Sequence, residues 1–373
     1  MMQQQRALSG TSSRAGGAGA RGSVLLPRRP ARRAASAARA SAPSAAAPRA
    51  VVILPGLGND AADYAPLADL LRRSGAAHVA VAPVERWNWA LNALALRDAR
   101  WWRGELPPRP AVDWYIRRTD EAVREAAEAL EALGAATKED QGRVTLLAHS
   151  AGGWIGRVYL RDFRSQGGGG AAARRIDRFV SLGSPHRAPP RGVEGVVDQT
   201  RGILTWVEDN CPGAHLHDEG VRYVTVAGRL VRGRALGGAG GGKAAEEGSG
   251  VAASAAAAFA GVGYQQVCGK ADAHGDFIVP VDAAHLGDPR AAEVDLEGVF
   301  HSPIGETLRW PLGGGRAVLP PWYGSERVAG AWVRWAVGTE DELPAPGTRH
   351  RARAEPWKES LQSAAVGAPA LEN

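Results

Sequence analysis

Val144-Thr145-Leu146-Leu147-Ala148-His149-Ser150-Ala151-Gly152-Gly153 is a largely apolar run that stops at a serine flanked by small residues. The run reads as a buried parallel strand, and the residues after it, from Gly153 to Phe163, as a helix. A strand, a sharp turn at serine and a helix form the arrangement that projects a hydroxyl from a sheet edge, here with Ala148 in place of the first Gly of G-x-S-x-G. The residues two before and two after the serine must pass close together. Ala148 and Gly152 are small enough to do so. The turn also sets Ser150 at the positive end of the following helix, where developing negative charge is stabilised. Ser150 is therefore the candidate nucleophile.

Outward from this turn the pattern repeats. Val51-Val52-Ile53-Leu54, closed by Pro55-Gly56, reads as another buried strand, followed by a helix over 60–73 with Asn59 or Asp60 as its cap. Further strands are expected over 78–84, 176–182, 221–227 and 294–300, and helices over 113–133 and 328–336. This alternation predicts an α/β fold, a mostly parallel sheet with helices on both faces. The expected organisation is a disordered segment over 1–47, one domain over 48–340 and a flexible tail over 341–373. Two stretches break the alternation. Residues 85–110 carry Trp87, Trp89, Trp101 and Trp102 out of twelve tryptophans, and 228–250 is a Gly-rich surface insertion. The tryptophans fall between a strand and the next helix, where aromatic surface is expected to form a lid or an apolar substrate pocket.

An acyl transfer at Ser150 needs two preorganised N–H donors for the oxyanion. One is expected from Ala151, the other from Leu57 in the loop Leu54-Pro55-Gly56-Leu57-Gly58-Asn59. With such a turn the order expected along the chain is serine, acid, histidine. His186, His215, His217, His274, His285 and His301 follow Ser150 ahead of the tail. His301 ends the strand-like Val294–Phe300 and is the preferred base. Asp276, between Gly275 and an apolar run, is the preferred acid, with Asp272 and Asp282 as rivals. His186, after the fourth strand, is expected to line the site. This chemistry requires no metal or organic cofactor.

Composition narrows the setting. The chain has 373 residues, of which 45% are hydrophobic and 23% charged, the balance of an ordinary globular protein. Cys211 and Cys268 are too few for a disulfide scaffold, and no run of 18 apolar residues suggests a membrane span. Residues 1–50 hold nine Arg and no acid. Taking these from the 45 basic residues leaves 36 against 39 acidic ones. The folded part is thus close to neutral, and a nucleic-acid partner is not expected. The Arg-rich, Ser-containing, acid-free start reads as an organelle transit peptide, for chloroplast or mitochondrion.

LPGLGN, AHSAGG, LGSPH, GDFIVPVDAAHL and FHSPIG occur in that order over roughly residues 50–340. In these motifs the chain resembles the α/β-hydrolase superfamily, and in particular lipases with an A-x-S-x-G elbow and plastid-targeted lipase-like hydrolases of plants and algae. The resemblance implies a carboxylic ester hydrolase with Ser150 as nucleophile, Asp276 as acid, His301 as base, and Leu57 and Ala151 as oxyanion donors. It implies a small-molecule or lipid ester substrate, with peripheral membrane contact, and favours chloroplast over mitochondrion as the address of the N-terminal segment. Many lipases have His-Gly where this chain has Pro55-Gly56, so a different hydrogen bond must steady that loop. The chain is also similar to glycosylphosphatidylinositol inositol-deacylases. A non-catalytic ligand-binding receptor on the same fold is the further alternative.

Overall fold

Seven strands pair into one all-parallel sheet in the order β2-β1-β3-β4-β5-β8-β9. They are β1 (Arg49–Leu54), β2 (His78–Val81), β3 (Arg143–His149), β4 (Ile176–Leu182), β5 (Arg222–Arg229), β8 (Ala291–Glu297) and β9 (Arg349–Arg353). The two-residue strands β6 (Val231–Arg232) and β7 (His274–Gly275) form a separate antiparallel pair. The structure, a computed structural model, describes residues 47–134, 142–235, 251–303 and 320–353. Residues 1–46 of the N-terminal segment, 236–250 of the Gly-rich stretch and 354–373 of the tail lie outside the described residues.

The continuous apolar runs have a simple cause: both faces of the sheet are covered. Along β1, Val52 and Leu54 pack on the side of the helices Asp113–Ala132 and Ala151–Tyr159. Val51 and Ile53 point the other way, toward the helix Ala65–Arg73 and the short helices Glu326–Ala329 and Val333–Val337. All four are almost wholly buried. With no solvent face, the alternation of polar and apolar residues that marks a half-exposed strand is absent. The helix Ala65–Arg73 follows a 3₁₀ turn, Ala61–Tyr64, that opens with a capping box: Asp60 Oδ1 accepts from Asp63 N–H at 3.2 Å and Asp63 Oδ2 from Asp60 N–H at 2.9 Å.

The parallel register brings the carboxyl ends of the strands together. Leu54 pairs with Ala148, Ala148 with Ser181, and Ser181 with Thr225. The loops after β1, β3, β4 and β8 therefore open on the same edge, where ligands meet open α/β sheets.

The tail departs from expectation. Within 341–373, residues 349–353 are the edge strand β9, paired with β8. Charge pairing supplies what an apolar pattern does not. Arg349 contacts Asp295 at 3.1 Å and Arg351 contacts Glu297 at 2.6 Å. The Gly-rich stretch also begins in order, since Gly228 N–H donates to Tyr323 Oη at 2.6 Å and β6 pairs with β7. Among the described residues no helix is long and apolar enough to cross a membrane.

Candidate active site

Ser150 has φ 51° and ψ −125°, a region that residues with a Cβ rarely occupy. Its N–H donates to the Leu182 carbonyl of β4 at 3.0 Å, and its own carbonyl accepts from Gly153 N–H at 3.0 Å. The turn is tolerated because its surroundings leave room only for glycine. A Cβ at Gly152 would stand 2.5 Å from the Leu54 carbonyl oxygen, and one at Gly153 2.2 Å from Ser184 Oγ. A Cβ at Gly56 would be 2.8 Å from both Ser150 Cβ and His149 Nδ1. The loop after β1 thus rests directly against the serine turn. Among the described residues, neither Leu57 N–H nor Ala151 N–H donates to another backbone group.

Ser150 Oγ lies 2.9 Å from His301 Nε2, and His301 Nδ1 lies 2.7 Å from Asp276 Oδ2. Asp276 has no solvent exposure. Its Oδ1 accepts from Ile278 N–H at 3.0 Å and Val279 N–H at 2.7 Å, and its Oδ2 also accepts from the Tyr323 hydroxyl at 2.8 Å. Four donors thereby converge on one carboxyl group, its full acceptor capacity. The Asp276 carbonyl in turn accepts from His301 N–H at 3.0 Å. In this geometry the imidazole can take the serine proton at Nε2 while Nδ1–H stays on the carboxylate.

A second chain of hydrogen bonds runs behind the first. Tyr64 Oη accepts from Gly56 N–H at 2.8 Å and from Asn59 Nδ2 at 3.0 Å. With both lone pairs used, its proton is directed at His149 Nδ1, 2.7 Å away. His149 Nε2–H then donates to the His301 carbonyl at 2.9 Å. Only the neutral Nε2–H tautomer satisfies both contacts. Burial, reinforced by the neighbouring His301, holds the His149 pKa well below the usual imidazole value. Burial likewise raises that of Tyr64 and keeps it a phenol. Tyr115 adds a bond from its hydroxyl to the Pro55 carbonyl at 2.6 Å. These tyrosines steady the Pro55-Gly56 loop from within the domain.

The other sequence candidates lie elsewhere. Asp272 pairs with Arg232 and Asp282 with Lys270, both on the exposed surface. His285 is bonded to Thr225 Oγ1 at 2.7 Å and Asp295 Oδ1 at 2.8 Å, and His274 is exposed on β7. His186 does not line an open site. It is wholly buried, with Nε2 2.8 Å from Ser181 Oγ, because Ala283 and Arg157 hold its backbone inside the sheet edge. Of the four tryptophans, Trp89 is joined to the loop after β1, donating Nε1–H to the Asn59 carbonyl at 2.9 Å. Trp101 packs on Trp102, at 4.6 Å between ring centroids, and Arg201 covers Trp101 at 4.3 Å. Trp87 and Trp102 are exposed. Sequence reasoning missed Tyr64, His149 and Tyr323. His149 had a signal, its place beside Ser150; the two tyrosines had none.

No family model and no curated protein matches the sequence. Similar solved structures include phospholipase PlaB from Legionella pneumophila in complex with thio-NAD, with 14% identity over 79% of this chain and 59% of that one and a TM-score of 0.42. Paleococcus ferrophilus monoacylglycerol lipase is 12% identical over 78% of this chain and 95% of that one, with a TM-score of 0.34. Aspergillus fumigatus lipase B is 15% identical over 48% and 37%, with a TM-score of 0.27. The chain spans 59% of the length of the PlaB chain. The fold is α/β, of α/β-hydrolase type. Its basis is the sheet order and the strained serine between β3 and its helix.

Tyr64→Phe should slow the reaction of Ser150 with a fluorophosphonate by about 10–100-fold, the order expected when a loop shifts by a fraction of an ångström. An unchanged rate would show that the two loops hold their positions independently. Acid should destabilise the fold. His149 and His186 are buried with depressed pKa values, and burial lowers that of His215 to about 4. Below the unfolded value of about 6.5 the unfolded chain binds protons that the folded chain refuses. Stability is therefore complete above that pH and falls beneath it, by up to about 1.4 kcal/mol per pH unit for each histidine. Thermal midpoints at pH 7.5 and pH 5 read this; equal midpoints would refute it.

Proposed function

We propose that this protein is a serine hydrolase that cleaves carboxylic esters of acyl lipids. The observation that carries the proposal is the unbroken contact from Ser150 Oγ through His301 to the buried Asp276 carboxyl group, at 2.9 and 2.7 Å. In this reading His301 Nε2 takes the Ser150 proton as Oγ attacks the acyl carbonyl. The oxyanion is met by the N–H groups of Leu57 and Ala151. His301 then returns the proton to the leaving alcohol, and the ester bond to Ser150 is hydrolysed by water activated through the same imidazole. Asp276 orients the ring and stabilises the imidazolium.

The acyl-lipid part of the reading is supported by exposed apolar side chains in the loop after β1 and the tryptophan-rich segment: Leu57, Leu96 and Trp102. Such exposure favours an apolar ligand over a small polar one. The acid-free N-terminal segment extends the proposal to a chloroplast address.

A fluorophosphonate should label the protein, and Ser150→Ala should abolish labelling and lower kcat by roughly a million-fold. Labelling that survives the substitution would discard the nucleophile. In a p-nitrophenyl ester series, activity should rise from acetate to longer chains; a strong preference for acetate would remove the lipid substrate and leave the esterase. Residues 1–50 fused to a fluorescent reporter should direct it to plastids, and a diffuse cytosolic signal would cancel that address.

A further inference from the structure

The tryptophan-rich segment carries a groove of its own, about 760 Å³ in volume. Its floor is formed by Leu91, Leu94, Ala95, Leu106, Ala111 and Trp114. Among the described residues none of Ser150, Asp276, His301, Leu57 or Ala151 lines it. Two contacts maintain its shape. Trp114 Nε1–H donates to Asn92 Oδ1 at 2.9 Å, fixing the 3₁₀ helix Arg86–Arg97 on the helix Asp113–Ala132. Leu106 N–H donates to the Arg201 carbonyl at 2.8 Å. A smaller hollow of about 270 Å³ shares Leu91, Trp114 and Arg117 with the groove and continues it past Trp87.

The charges around the groove are unequal in what they contact. Asp98 and Asp113 line it, but each is already engaged: Asp98 by Arg100 at 2.6 Å and Asp113 by Arg109 at 2.6 Å. In the smaller hollow Arg118 and Glu121 pair with each other at 3.1 Å. Arg97 and Arg117 also line the groove, and among the described residues neither has a hydrogen-bond or ion-pair partner. The site thus joins a mainly apolar trough of ligand size to two exposed guanidinium groups that, among the described residues, no protein acceptor engages. A guanidinium is matched by a carboxylate, to which it donates two parallel N–H bonds.

We propose that this groove is a second binding site, for a single long-chain carboxylate: a fatty acid anion with its chain along the Leu91–Trp114 floor and its head group between Arg97 and Arg117. A concave trough of about 760 Å³ is the size of a pocket for a discrete ligand, which selects a monomeric amphiphile over a bilayer surface. The inference rests on the groove alone and does not depend on the reactivity of Ser150.

The test uses the full chain carrying Ser150→Ala and a fluorescent long-chain fatty acid as probe. The acid should bind saturably with one-to-one stoichiometry, and added salt should weaken it. Arg97→Gln with Arg117→Gln should weaken binding at least tenfold and remove the salt dependence, while the neutral methyl ester of the same acid should bind both proteins equally weakly. Protein with Ser150 intact, first labelled with a long-chain alkyl fluorophosphonate, should bind the acid with unchanged affinity. Equal binding by the double variant would overturn the proposal. So would loss of binding on labelling, which would assign the probe to the space around Ser150. Failure to label at all would count against the hydrolase reading and leave the binding result standing.

Discussion

The end of β1 and the turn after β3 are in contact at the van der Waals limit, and the whole sheet edge depends on that contact. Leu54 O would lie 2.5 Å from any Cβ at position 152, and Ser150 Cβ 2.8 Å from any at position 56. Glycine at both positions lets the strand ends meet. A residue with a side chain at either would separate the loop carrying Leu57 from the serine. The same crowding supports the Ser150 backbone, whose conformation costs of the order of 1–3 kcal/mol and persists only where packing overdetermines it. Here the overdetermination is visible as bonds to Leu182 and Gly153 on either side of the turn.

On that steric base sits a polar layer assembled from distant parts of the chain. The loop after β1 reaches His301 through Tyr64 and His149, while Asp276 is approached by Tyr323 from beyond β8. Tyr264, on the helix Val251–Cys268, accepts from Phe277 N–H at 3.0 Å and so holds the residue after Asp276, whose φ is 89°. Burial raises the pKa of each of these tyrosines, so each remains a neutral hydroxyl with one proton to aim. A neutral group that donates once and accepts at the same time gives a unique direction to a hydrogen-bond chain. Charged side chains in the same places would add a desolvation cost with no gain in direction.

Much of this was legible in the sequence, for reasons that differ by element. The central strands were readable because burial on both faces leaves unbroken apolar runs such as Val51–Leu54. Ser150 was readable because small residues at fixed offsets are the steric requirement of its turn. Asp276 and His301 followed from chain order and from their places beside apolar strands, and they do stand in contact with each other. Tyr64 and Tyr323 were not readable, because nothing local distinguishes a tyrosine that directs a proton from one that only fills space. β9 was hidden for a different reason: it is an edge strand held by Arg349 and Arg351 against acids of β8, and such a strand looks like a polar tail. His186 misled because its place after β4 is right for a site residue, while only tertiary packing reveals that its ring turns inward to Ser181.

The tryptophan-rich segment is bonded to the loop after β1, and among the described residues its groove is lined by none of Ser150, Asp276 and His301. Arg86 donates to the Gly58 carbonyl at 3.0 Å and Trp89 to that of Asn59 at 2.9 Å, so the segment bonds to the loop that rests against the Ser150 turn. Trp114 is the common wall. Its ring meets Trp89 edge-on at 5.1 Å, and it also lines the groove that carries Arg97 and Arg117. Its neighbour Tyr115 holds Pro55. Trp114, Trp89 and Tyr115 each donate one side-chain hydrogen bond, to Asn92, Asn59 and Pro55, so the aromatic wall is held at three points. One segment thus presents two chemically different surfaces, an apolar trough bordered by exposed cations and a hydrogen-bonded support for the loop after β1.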